Sequence, residues 1–169
     1  EASEFSAWGV SPDLRLKPEI AAPGGEVFSS IPGGAYEQSS GTSMATPQMA
    51  GVSTIVLQRV QSDPLFASMS ARQKADVVQN LIMGTARPLT DAAQTTGALY
   101  SPRKQGAGLV DALAATTSSV YPTVVGAPEQ SRPKADLGDG TKGWHFYVTL
   151  HNLSGVPATY EQSSQALSE

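Results

Sequence analysis

The clearest periodic feature of the chain is an apolar run from Met49 to Val60. Its large aliphatic residues fall on most faces of a helix rather than along one stripe: Val52, Ile55, Val56, Leu57 and Val60. A helix with this pattern is typical of a buried position. The sequence therefore predicts a central buried helix over Ala45–Gln61, which Asp63-Pro64 ends.

A β-hairpin is predicted immediately before this helix. Val27–Ile31 and Ala35–Gln38 have strand character and flank Pro32-Gly33-Gly34, a cluster of turn-forming residues. Farther upstream, Pro18–Ala21 predicts a short buried strand. We therefore expect the hairpin to deliver the chain to the start of the long helix.

Two more helices are predicted downstream. Ser70, with Gln73 three residues later, is a capping-box signature, and Gly84 is placed to end that helix. Its apolar positions recur at helical spacing: Val77, Val78, Leu81 and Ile82. Leu109–Ala115 predicts a short third helix, and the segment between Arg87 and Arg103 is typical of a loop.

The hydrophobic period changes near Tyr121. Thr123–Val125 and Trp144–Leu150 have β-branched and aromatic alternation, and no helical period survives after them. We therefore predict a mixed α/β module over residues 1–120 and the start of a β-sandwich over residues 121–169.

The candidate chemistry lies at the start of the long helix, in Gly41-Thr42-Ser43-Met44-Ala45. A nucleophilic hydroxyl benefits from this position, because unpaired N–H groups in the first helical turn can receive an oxyanion that develops beside it. Pro47 fits a first turn, so the helix is expected to begin close to Ser43. The alternative is a capped core helix whose serine only satisfies its own backbone.

Residues 41–51, GTSMATPQMAG, resemble the nucleophile motif of the subtilisin-like serine proteases. Phe5–Gly9 and Leu16–Gly24 resemble segments that precede the nucleophile in that family, and Gly106–Ala112 resembles its closing helix. Gln48 departs from the family at a site where many members have histidine, but it is not a triad position. The resemblance implies the C-terminal part of a subtilisin-like three-layer α/β domain.

The same resemblance implies that Ser43 is the nucleophile and that its backbone N–H donates to the oxyanion. The turn around it is expected to be supported by its neighbours in the motif: Gly41, Thr42, Met44, Ala45 and Pro47. The triad Asp and His and the oxyanion Asn are expected upstream of Glu1. The isolated chain is therefore predicted to be inactive, since its histidines, His145 and His151, are predicted to be solvent-facing residues on a downstream strand.

The second module adds to the resemblance. Large cell-envelope subtilases of the lactocepin and C5a peptidase type are similar in having fibronectin-III-like modules directly after the closing helix. This resemblance implies an exported serine endopeptidase, located outside the cell or in the cell wall of a Gram-positive bacterium. Its expected partners are a protein or peptide substrate and the upstream part of the same protease.

Composition narrows the picture further. The absence of cysteine excludes disulfides, and a net charge of −4 without a basic stripe argues against nucleic acid as a partner. No apolar stretch is long enough to span a bilayer, and no cofactor or metal site is predicted. Four aspartates are too scattered for a calcium loop, although calcium elsewhere in the parent stays open: Asp13, Asp63, Asp91 and Asp111. A non-catalytic pseudoprotease scaffold or an adhesion module is the alternative function.

Overall fold

The computed structural model describes residues 2–12, 15–91, 97–125, 132–135, 143 and 145–165. Its strands and helices follow in this order: β1 (Val27–Ile31), β2 (Ala35–Ser39), α1 (Thr42–Ser62), α2 (Ala71–Gly84), α3 (Pro102–Gln105), α4 (Ala112–Thr117), β3 (Val120–Val125) and β4 (Tyr147–Asn152). The chain divides into two compact units. Unit 1 contains Glu1–Val52 and Arg87–Val110, and unit 2 contains Ser53–Ala86 and Asp111–Ala166.

The predicted hairpin is confirmed in unit 1. β1 and β2 pair antiparallel, from Val27 opposite Ser39 to Ile31 opposite Ala35. Gly33 and Gly34 form the turn with φ values of 91° and 76°, which side-chain-bearing residues rarely adopt. The hairpin therefore has the register that its turn residues dictate.

Leu109 lies extended between two other segments of unit 1. Its N–H and C=O both bond to Arg87, while the flanking Gly108 and Val110 bond to Ala21. The prediction that a helix begins at Leu109 is therefore wrong. Gly106 and Gly108, at φ values of 62° and 123°, turn the chain away from a helix, and α4 begins only after Asp111.

The segment predicted to be a loop contains the short helix α3. Ser101 caps it by accepting a bond from the Arg103 N–H, and its last residue, Gln105, is buried. The Gln105 side chain accepts from the Leu89 N–H and donates to the Tyr100 carbonyl, both at 2.6 Å. A buried amide with both ends bonded holds the backbone on either side of α3 in place.

α1 begins at Thr42, three residues earlier than predicted. Among the described residues, only Val56 and Val60 of this helix are fully buried, and Ile55 is 53% exposed. The prediction of a central buried helix is wrong for the described chain, because the described residues cover only one side of it. None of the described helices is long and apolar enough to cross a membrane.

In unit 2, the predicted capping box of α2 is confirmed. The Ser70 hydroxyl accepts from the Gln73 N–H at 3.3 Å, and the Gln73 side chain accepts from the Ser70 N–H at 2.9 Å. All four apolar positions predicted for α2 are buried: Val77, Val78, Leu81 and Ile82. β3 packs closely on the end of this helix, since a Cβ on Gly84 would lie 2.6 Å from Pro122.

β3 and β4 form a two-stranded antiparallel sheet with Tyr121 opposite His151. Of the predicted strand over residues 144–150, Trp144 lies outside the described residues and His145 lies just before β4. The two described strands do not test the predicted fibronectin-III-like sandwich, and the domain boundary at residue 120 stays a prediction.

The two histidines differ in their surroundings. His145 is exposed, as predicted. His151 is half-buried, with its ring stacked 4.5 Å from Tyr121 and its Nε2 2.9 Å from the Thr123 hydroxyl. The prediction of a solvent-facing His151 is wrong, because both partners lie on the neighbouring strand. Burial lowers the pKa of His151 below its usual 6.5.

The stability of unit 2 is therefore expected to fall as the pH is lowered below about 6.5. Because the folded pKa of His151 is depressed, the unfolded chain binds the proton more readily, so stability present above about pH 6.5 is lost below it. Urea denaturation across that range measures the loss. The variant His151→Phe keeps the aromatic stacking on Tyr121 and is expected to lose this pH dependence. An unchanged pH slope would contradict the assignment.

Candidate functional site at the start of α1

Ser43 is the second residue of α1, four residues after β2 ends at Ser39. The Gly41 carbonyl accepts the first bonds of the helix, from Met44 N–H at 3.0 Å and Ala45 N–H at 3.4 Å. The Ser43 side chain is exposed. Neither its hydroxyl nor its N–H has a hydrogen-bond partner among the described residues. The predicted strand-to-helix turn is thus confirmed, with a free hydroxyl beside a free N–H donor.

Two hydrogen bonds join this turn to the residues just before β1. The Gly41 N–H donates to the Gly24 carbonyl at 2.8 Å, and the Ser40 hydroxyl accepts from the Glu26 N–H at 2.8 Å. A Cβ on Gly24 would lie 2.8 Å from the Gly41 oxygen. Gly24 is therefore required for this close approach. The long-range contact between Gly24 and Gly41 has no local signal in the sequence.

Pro47 lies inside α1 rather than in its first turn. Because proline has no N–H, the Ser43 carbonyl receives no i+4 helical bond from it. The Thr46 hydroxyl, in the residue before Pro47, donates to the Thr42 carbonyl one helical turn earlier at 2.9 Å. The Ser43 carbonyl therefore lies outside the regular helical ladder of α1.

A cavity of about 600 Å³ lies beside this part of the helix, within unit 1. Four residues of α1 line it, at the spacing of a single helical face: Thr42, Ala45, Thr46 and Met49. Lys104 and Gln105 add polar groups to the wall. Ser43 lies about 100° round the helix from Thr42 and does not line this cavity.

Unit 1 has no histidine that could act as a general base for Ser43. Both histidines of the chain belong to unit 2. Of the nearby carboxylates, Glu19 is paired with Lys17 at 2.6 Å. Within the described residues, no group of three or more metal-ligating side chains is present, and Asp13 lies outside them. Unit 1 therefore presents the Ser43 hydroxyl and one N–H donor at this turn, but no histidine that could take the hydroxyl proton.

The sequence model of the subtilase family matches residues 1–108 of this chain. The chain is 34% identical over 155 residues to the C5a peptidase of Streptococcus pyogenes, an alignment that covers 92% of the chain and 13% of that protein. It is also 34% identical over 169 residues to the PII-type proteinase of Lactococcus lactis subsp. cremoris, covering 96% of the chain and 9% of that protein.

The chain also resembles a solved structure, that of the prenylagaramide maturation protease PagA, with 27% sequence identity and a TM-score of 0.48. The match covers 68% of this chain and 36% of the PagA chain. The chain spans about a tenth of the length of the two bacterial proteinases it matches. The family match covers more than half of the chain, including the Ser43 motif and the segments before it. The chain therefore belongs to the subtilase family, and within it to the type of C5a peptidase and the lactococcal proteinases.

Proposed function

We propose that this chain forms the nucleophile-bearing part of an exported serine endopeptidase that hydrolyses peptide bonds through an acyl-enzyme on Ser43. One observation carries the proposal. Ser43 presents an exposed hydroxyl and an unpaired backbone N–H together at the start of a 21-residue helix. A helix N-terminus carries partial positive charge, so this arrangement suits an oxyanion that forms during acyl transfer.

In the proposed reaction, the Ser43 hydroxyl oxygen attacks the carbonyl carbon of the scissile bond while a histidine takes its proton. The carbonyl oxygen becomes an oxyanion, to which the Ser43 N–H donates. Collapse of the tetrahedral intermediate breaks the C–N bond, and the histidine returns the proton to the leaving amine. Water then hydrolyses the ester on Ser43 by the same steps.

The histidine, its aspartate and the oxyanion asparagine are proposed to come from sequence upstream of Glu1. Unit 1 has no histidine of its own, which supports this assignment. Without the base, the hydroxyl stays protonated and is a weak nucleophile. The 169-residue chain by itself is therefore proposed to be inactive. A non-catalytic scaffold is disfavoured, because a scaffold has no need of an exposed, unbonded hydroxyl at this turn.

The wider architecture is proposed from the relatives and the sequence pattern. Residues 1–120 are assigned to the catalytic domain and residues 121–169 to the beginning of a fibronectin-III-like β-sandwich. Both relatives come from Gram-positive bacteria, which supports a location outside the cell or in the cell wall. The proposed partners are a polypeptide substrate and the upstream part of the same protease.

Trapping of the acyl-enzyme tests this proposal. The parent protein, with its upstream sequence, is mixed rapidly with an activated ester of a short peptide and analysed by mass spectrometry. One acyl group per protein, mapped to the peptide that contains Ser43, is expected. Hydrolysis without any adduct on Ser43, or an adduct on another residue, would contradict the mechanism.

A further inference from the structure

Two aromatic side chains lie exposed and stacked on the hairpin β1–β2. Phe28 is 71% exposed and Tyr36 is 65% exposed. Their ring centroids are 5.6 Å apart, with an angle of 19° between the planes. Phe28 is opposite Gln38 and Tyr36 is opposite Ser30, so the rings lie diagonally on one face of the sheet. The pair forms an apolar surface on a hairpin that is otherwise mostly polar.

The hairpin that carries this surface directly precedes the proposed nucleophile in the chain. The hairpin is clamped at its base through Gly24 and Gly41, and α1 follows β2 after two residues. Tyr36 and Ser43 are seven residues apart, which limits their separation to about 25 Å at full extension. An extended polypeptide held at Ser43 therefore reaches the aromatic pair within about eight of its own residues.

The stretch of sequence that contains the pair has charges of a single sign. From Pro18 to Gln58 the chain has three acidic residues and no lysine or arginine. Glu19 is paired with Lys17, whereas in the part of the chain that the structure describes Glu26 and Glu37 have no ion-pair partner. Glu37 points to the face of the sheet opposite the rings, whereas Glu26 precedes Phe28 by two residues, or about 7 Å. That distance is inside the Debye length of about 8 Å at physiological salt.

We infer that the hairpin β1–β2 is a docking surface for the polypeptide substrate, and that it takes a segment in which an aromatic or large aliphatic side chain neighbours a lysine or arginine. The apolar side chain covers the rings of Phe28 and Tyr36. The cation is attracted by Glu26 and by the faces of the rings. The inference rests on the proposed peptidase function, since a hairpin continuous with the nucleophile meets the substrate of that nucleophile.

Peptide binding to the 169-residue chain tests the docking surface. Three short fluorescein-labelled peptides of one length carry a central Trp-Lys, Trp-Glu or Ala-Lys pair, and fluorescence anisotropy gives Kd. The Trp-Lys peptide is expected to bind with Kd below about 1 mM and at least about fivefold more tightly than the other two. The variant Phe28→Ala/Tyr36→Ala is expected to weaken it about tenfold.

The charge arm uses Glu26→Gln, which is expected to weaken the Trp-Lys peptide about threefold at low salt and to reduce its preference over Trp-Glu. Ile31→Ala is the matched control, because Ile31 lies on the opposite face of β1 and should leave Kd unchanged. Circular dichroism confirms that each variant is folded. Equal binding of the three peptides, or an equal loss in Ile31→Ala, would overturn the docking surface.

The two proposals fail in different ways. Ser43→Ala is expected to abolish acyl-enzyme formation in the parent and to leave peptide binding to the hairpin unchanged. An acyl adduct on Ser43 with no peptide preference would overturn the docking surface alone. The expected peptide preference without any adduct would overturn the proposed peptidase function and leave a peptide-binding hairpin.

Discussion

Replacing Ser43 by alanine is expected to lower kcat of the parent protein by about a millionfold, with little change in the stability of the fold. The magnitude is that measured in subtilisin, where loss of the nucleophile costs about 2 × 10⁶ in kcat. Ser43 is exposed and its hydroxyl has no partner among the described residues, so its removal leaves no buried group unsatisfied. Steady-state hydrolysis of quenched fluorescent peptides measures the effect.

Ser62, at the other end of α1, provides the matched control. Its exposed hydroxyl donates to the Gln58 carbonyl within the helix, so Ser62→Ala removes the same atom at a position that meets no substrate. Its kcat is expected to stay within about twofold of the wild type. A Ser43→Ala variant that retains more than about one hundredth of the activity would assign the nucleophile to another residue.

Gly106→Ala is expected to destabilise unit 1 by about 2–5 kcal/mol. Gly106 has a φ of 62°, which costs a side-chain-bearing residue about 1–2 kcal/mol. A Cβ there would also lie 2.4 Å from the Glu19 carbonyl carbon and 2.7 Å from the Pro18 oxygen. The backbone of both segments would have to move apart and break the bond from the Ala107 N–H to the Glu19 carbonyl.

Gly51→Ala is the control for this substitution. Gly51 lies inside α1, where a Cβ would meet no heavy atom within 4 Å, so alanine is expected to stabilise the helix by about 1 kcal/mol. Urea denaturation gives the free energy of unfolding for each variant. Hydrogen exchange should show faster exchange in residues 18–22 for Gly106→Ala only. Equal stability of the two variants would contradict the close packing at Gly106.

Local signals were sufficient for much of the fold. The hairpin was predicted within one residue, because its turn glycines and strand residues agree. The capping box at Ser70 fixed the start of α2, and the spacing of its apolar residues identified the buried face. These features depend on contacts between residues only a few positions apart, which a single sequence records.

The errors concern long-range contacts. Leu109 was assigned to a helix because the stretch after it is helix-forming, but its backbone bonds to Arg87 instead. His151 was predicted to face solvent because its alternation fits an exposed strand face, and its contacts with Tyr121 and Thr123 come from the neighbouring strand. Ile55 belongs to the apolar pattern of α1 but is exposed. The pattern therefore indicates which residues a helix can bury, but it does not identify the partner that covers them.

The same distinction between local signals and long-range contacts applies to the candidate site. The position of Ser43 at a strand-to-helix turn could be predicted from the motif, because Gly41 and the apolar run are adjacent in sequence. The contact between Gly24 and Gly41 could not be predicted, since its partners lie seventeen residues apart (41 − 24) and neither signals the other. The sequence also did not show that Phe28 and Tyr36 stack, because their pairing depends on the register of the hairpin.

Fluorophosphonate labelling tests the central claim most directly, namely that Ser43 is a subtilase nucleophile activated by residues outside this chain. The parent protein and the 169-residue chain are treated with the same probe, and the modified residue is mapped by mass spectrometry. Stoichiometric labelling of Ser43 is expected in the parent, and labelling no faster than that of Ser62 is expected in the chain. Rapid Ser43 labelling of the chain alone, or labelling of the parent at another serine, would contradict the account.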